Sequence, residues 1–67
     1  MTIQEKVLFI INLLELSDRQ VGEAINKSSS TVTHKRLKIG SNKFSEIDFK
    51  RLKDNCLEKL NKIQELQ

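Results

Sequence analysis

Sixty-seven residues allow one domain, and a domain of that size hides only about 60% of the surface its unfolded chain exposes. No proline, two glycines and three phenylalanines as the only aromatic residues favour helices over a sheet. The net charge is +3, a lone cysteine excludes an internal disulfide, and no signal-peptide pattern opens the chain, so a reducing cytoplasm is the expected compartment. The longest apolar run, Val7 to Ile11, has five residues where a membrane span needs about 20. No membrane partner is expected.

Thr2 followed by Glu5 fits a capping box, and Ile3, Val7, Leu8, Ile10, Ile11 and Leu14 recur at helical spacing, which predicts a largely buried first helix running through Leu16. Ser17 with Gln20 opens a second, two-turn helix over residues 18–25, with Val21, Ala24 and Ile25 on its apolar face. Asn26 tolerates the left-handed conformation that ends a helix. Ser28 or Ser29 then caps a third helix through Leu37, on which Val32, Leu37 and Ile39 are the residues expected to be buried. Gly40, Ser41 and Asn42 read as a loop. Ser45 with Asp48 opens a long last helix, whose Ile47, Phe49, Leu52, Cys56, Leu57, Leu60, Ile63 and Leu66 keep helical spacing almost to the end. The expectation is an all-α, four-helix single domain over residues 1–67.

The charge is unevenly spread. Residues 1–16 carry −1 and residues 45–67 carry 0, while residues 17–44 hold six cations against Asp18 and Glu23, a net +4. No acid lies between Lys27 and Lys43. A basic segment of this kind is the footprint of a phosphate-binding surface, and it is equally common on a plain solvated helix face.

The informative unit is the pair of helices 2 and 3: a short helix with Val21 and Ile25 inside, a small residue at Gly22 where another segment approaches closely, a three-residue turn, and a helix nearly bare of apolar residues. Over residues 17–38 this stretch resembles the helix-turn-helix of small phage repressors and Cro-like regulators. Val21, Ile25, Gly22 and Val32 match the family's apolar and small positions. Asn26 stands where the family usually has Gly, Lys27 replaces a residue that is often apolar, and Lys35 falls where an apolar side chain is commonly buried.

The resemblance implies sequence-specific binding of double-stranded DNA by a small transcriptional regulator, a repressor of phage or mobile-element type, acting in a bacterial cell or phage-infected host. Its recognition helix, about residues 29–37, would enter the major groove. By position, Ser29, Ser30, Thr33 and His34 would face bases; Lys27, Ser28, Thr31, Lys35, Arg36, Lys38 and Lys43 would hold phosphates. Short hydroxyl side chains let a helix sit deep in the groove and offer the Thr methyl to thymine. They name no base, so no operator sequence follows.

Catalysis is not expected, since no nucleophilic arrangement and no phosphate-cradling Gly-rich loop is present. No cofactor or metal is expected either, because one His and one Cys do not make a zinc site. Cys56, four residues from both Leu52 and Leu60, reads as a small buried apolar residue. Leu57, Leu60, Ile63 and Leu66 extend the last helix's apolar stripe and mark residues 58–67 as a dimerisation segment, which would place two recognition helices about 34 Å apart on a palindromic operator. Two rivals stand beside this reading: a protein-binding antirepressor or inhibitor module on the same scaffold, and an excisionase-like architectural DNA binder.

Overall fold

Four hydroxyl side chains start the four helices. In the computed structural model, which describes residues 1–66, Thr2 caps α1 (Ile3–Leu13), Ser17 caps α2 (Asp18–Ile25), Ser28 caps α3 (Ser29–Arg36) and Ser45 caps α4 (Glu46–Gln64). At α1, α2 and α4 the boxes close reciprocally: the hydroxyl accepts an amide proton three residues on, and Glu5, Gln20 and Asp48 accept the N–H of the cap residue. At α3 the Ser28 hydroxyl accepts from the Thr31 amide at 3.2 Å, so the serine run begins a helix. Among the described residues there is no strand, and the chain is all-α.

Three helices end the same way, on a non-glycine residue with positive φ. Glu15 (φ 52°), Asn26 (φ 62°) and Lys38 (φ 55°) turn the chain. The following amide then donates back to a carbonyl five residues earlier: Leu16 to Ile11 at 3.0 Å, Lys27 to Gly22 at 2.9 Å, and Ile39 to His34 at 2.9 Å. Only the Asn26 turn is signalled by its residue type. The wrap at Glu15 stops α1 at Leu13, short of the expected Leu16.

Val7 and Ile11 from α1, Val21 and Ile25 from α2, Val32 from α3, Phe44 from the α3–α4 loop and Leu52 from α4 make up the core. Several expectations change here. On α1, Phe9, Leu13 and Leu14 face solvent, so the helix is less buried than its composition implies. Leu37 and Ile39, expected to be buried, are 56% and 49% exposed: Leu37 falls on the side of α3 opposite Val32, and the chain turns at Lys38 before Ile39 can reach the interior. Ile47 is exposed as well. Cys56 is half-buried against the core, and that burial pushes its thiol pKa up, in keeping with an apolar role.

Two polar features tie distant segments together. Gln4 is buried, its Nε2 donating to the Lys35 carbonyl and its Oε1 accepting from the Phe44 amide, both at 2.8 Å. Arg51 donates to the Ile25 carbonyl at 3.2 Å, satisfying an end group of α2 from α4. From Leu57 to Leu66 every residue is exposed, and Gln67, the last of the proposed dimerisation segment, lies outside the described residues. Among the described residues no helix is long and apolar enough to cross a membrane.

Candidate nucleic-acid interface

The turn between α2 and α3 is built by Gly22 and Asn26 together. A Cβ placed on Gly22 would lie 2.5 Å from the Lys27 carbonyl oxygen, closer than carbon and oxygen can pack. The close approach therefore involves the turn's own backbone. Asn26 supplies the left-handed residue that brings Lys27 back over Gly22, and Ser28 restarts the helix two residues later.

With Val32 as its only buried residue, α3 offers its remaining surface outward. At 100° per residue, Ser30, His34 and Leu37 lie on the side opposite Val32. All three are exposed, as is Ser29. Leu37 is thus an outward residue that sequence reasoning assigned to the core; its position seven residues after Ser30 was the available signal. Thr31 is half-buried and its hydroxyl lies 2.9 Å from the Ser28 hydroxyl, at the start of the helix.

Thr33 and Arg36 are drawn back toward α2 by Asp18. The Thr33 hydroxyl donates to one Asp18 carboxylate oxygen at 2.5 Å and also lies 3.0 Å from the Ser29 carbonyl. The Arg36 guanidinium straddles the same carboxylate, Nε to Oδ1 at 2.9 Å and Nη2 to Oδ2 at 3.0 Å. That bidentate grip, helped by the Thr33 hydroxyl, holds the Asp18 carboxyl below the usual carboxylate range and raises Arg36 further. Asp18 sits beside the cap, and its role as the lock between α2 and α3 went unread in the sequence because its partners lie 15 and 18 residues on.

Lys35 points the other way. Its ammonium meets the Asp48 carboxylate at 2.5 Å, with side-chain exposures of 15% and 3%. Of the seven expected phosphate contacts, Lys35 and Arg36 are therefore committed to internal partners. Lys27, Lys38 and Lys43 are exposed and have no ion-pair partner among the described residues. No family model, no curated protein and no solved structure matches the chain.

The three unpaired lysines flank α3: Lys27 lies just before it, and Lys38 and Lys43 follow it. Each end carries an open hollow. One is lined by Arg19, Gly22, Asn26, Lys27 and Ser28, the other by Thr2, Gln4, Lys38, Lys43 and Phe44. Arg19, which sequence reasoning did not single out, belongs to the first end, loosely paired with Glu23 at 3.4 Å. Eight residues at 1.5 Å each make α3 about 12 Å long, comparable with the roughly 12 Å width of the DNA major groove.

Proposed function

We propose that the chain binds double-stranded DNA as a small regulator of transcription, with α3 in the major groove. The observation that carries this reading is the outward face of α3: the side chains of Ser29, Ser30, His34 and Leu37, exposed and free of internal partners among the described residues, between Lys27 at one end and Lys38 and Lys43 at the other. A polar, short-chained helix face bracketed by cations suits a groove walled by phosphates. Ser30 and His34 are the base-edge candidates. Leu37 joins them as an apolar contact suited to a thymine methyl, while Thr33, with its hydroxyl held by Asp18, has only its methyl to offer.

The phosphate set reduces to Lys27, Lys38 and Lys43, with Ser28 and Thr31 at the start of α3 able to contribute hydroxyls. Three neutralised phosphates correspond to a log–log salt slope of about −2.7 for one chain. Fluorescence anisotropy on labelled random duplex at about 50 to 200 mM salt measures this slope directly. Selection from random duplex then tests for a preferred sequence. Absence of duplex affinity at the low-salt end would overturn the proposal.

One observation favours a second reading, a protein-binding module. Two of the cations that resemblance assigns to phosphate, Lys35 and Arg36, are occupied inside the molecule, which leaves a weaker electrostatic surface than the sequence implies. In that case the same outward face meets another protein, and retention on duplex DNA is nil at any salt.

A further inference from the structure

We propose that Leu37 reads the C5 methyl group of thymine, so that the duplexes this chain selects carry thymine at the contacted step, a proposal that rests on α3 entering the major groove. Counting about 100° per residue around the axis from Val32, Leu37, Ser30 and His34 lie between roughly 140° and 200°, Thr33 at about 100° and Arg36 at about 40°. Leu37 still belongs to this register: its backbone is helical and its amide donates to the Thr33 carbonyl at 3.0 Å.

The outward arc is defined by what it lacks. Paired hydrogen bonds to a base edge come from Arg or Lys on guanine and from Asn or Gln on adenine. From Thr33 around to His34 the arc carries none of the four. Arg36, the one guanidinium of α3, lies on the Val32 side and grips Asp18 through Nε at 2.9 Å and Nη2 at 3.0 Å. Lys35 is turned to Asp48, and Asp18 also takes the Thr33 hydroxyl. One serine hydroxyl and one imidazole remain, each a single-point contact. Asp18 and Asp48 thus withdraw from α3 the side chains that would otherwise read guanine.

Apolar contact discriminates where these groups do not. The C5 methyl of thymine is the one methyl group on a base edge in the major groove; the other positions offer acceptors or amino groups. Leu37 is 56% exposed. Of the exposed large apolar residues only Leu37 and Ile39 fall within residues 17–44, the segment of net +4. Ile39 lies past the turn at Lys38, outside the register of α3. Lys38 itself is exposed and without an ion-pair partner among the described residues, so the apolar side chain stands next to a phosphate anchor. That neighbourhood suits a groove in which methyl groups lie between phosphate walls, and it separates Leu37 from the apolar residues exposed on α1 and α4.

Fluorescence anisotropy at about 50 mM salt compares an alternating A·T duplex with the same duplex carrying uracil for thymine, which lacks only the methyl groups. Wild type should bind the thymine duplex about fourfold more tightly, the scale of burying one methyl-sized group. Leu37→Ala, at an exposed position, keeps the helical circular dichroism and the salt slope but binds the two duplexes alike. Leu37→Met, still apolar, keeps a preference for thymine. Methylating cytosine C5 in an alternating G·C duplex puts the same group on the same groove edge, and wild type should bind the methylated form more tightly, a gain that the shape of A·T-rich DNA does not supply. Equal affinity for the thymine and uracil duplexes, a thymine preference that survives Leu37→Ala, or no gain on cytosine methylation would overturn the proposal while the DNA reading stands. Binding to none of these duplexes would overturn both.

Discussion

Lys35 and Asp48 form the most buried ion pair among the described residues, and the pair joins the end of α3 to the first turn of α4. Asp48 has two duties: the carboxylate oxygen that meets the ammonium also accepts the Ser45 amide proton at 3.0 Å and closes the α4 box. Asp48→Asn keeps an acceptor for Ser45 but leaves the Lys35 charge unpaired at low exposure. A loss of about 3 kcal/mol is expected from urea unfolding, a large part of the total for a domain this small. Replacing both partners, Lys35→Leu with Asp48→Asn, restores part of it, since the unpaired charge is then gone.

Acid should weaken the fold through the same carboxylate and through Asp18. Burial pushes the Asp48 pKa up, but the hydrogen bonds from Lys35 and Ser45 outweigh it and hold the carboxyl below its ordinary value. Asp18 is held low chiefly by Arg36. In both cases the unfolded chain binds protons more readily, so the stabilisation is complete above the unfolded aspartate pKa of about 3.9 and is lost as pH falls below it. Urea midpoints should stay level from pH 7 to about pH 5 and drop below about pH 4. A midpoint unchanged at pH 3 would contradict these pairs.

Lys38 allows stability and DNA affinity to be separated. It holds a left-handed conformation, φ 55°, that glycine adopts without steric cost. Lys38→Gly should therefore raise stability by about 0.5 to 1 kcal/mol while lowering the salt slope of duplex binding by about 0.9. Lys35→Ala should do the reverse, reducing stability with no change in slope. Equal slopes for wild type and Lys38→Gly would remove Lys38 from the phosphate set.

Gly22→Ala and Asn26→Gly test the α2–α3 turn from opposite sides. The added methyl at Gly22 meets backbone, the Lys27 carbonyl, and the turn must shift to admit it; a loss of about 2 kcal/mol is expected in thermal unfolding. Asn26→Gly relaxes a position at φ 62° and should be neutral or stabilising by a few tenths of a kcal/mol, about the scale of a cap change. If Gly22→Ala is as stable as wild type, the turn is looser than the geometry requires.

Gln4→Leu removes two bonds at once. The Phe44 amide loses its partner in a buried setting, at a cost of roughly 1 to 3 kcal/mol, while the Lys35 carbonyl keeps the Lys38 amide at 3.3 Å. A midpoint within experimental error of wild type would mean that water replaces the glutamine.

What the sequence makes legible is local. The capping boxes at Thr2, Ser17 and Ser45, the αL residue at Asn26 and the apolar period of α2 each lie within four residues of their partner, and each of these helices begins where its signal places it. The long-range polar contacts were not legible. Gln4 reaches residues 31 and 40 positions away, and Asp18 reaches 15 and 18, with no periodicity to announce either. Phe44 escaped for a related reason: it is a core residue in a loop, outside any helical repeat. Lys35 is the instructive case. A charged residue where the resemblance calls for an apolar anchor is explained by Asp48, a residue that sequence reasoning had fully accounted for as a helix cap.

The tapering of α4 has a kinetic consequence. Its first half is clamped by Leu52, Phe49 and Asp48, while residues 57–66 touch too little to be held. Backbone amides near Leu52 should exchange with deuterium only when the whole domain unfolds, and those beyond Lys59 by fraying that needs almost no free energy. The helix thus records, as a gradient of exchange rates along its length, where the single chain's own cooperativity stops, and covering its end would flatten that gradient.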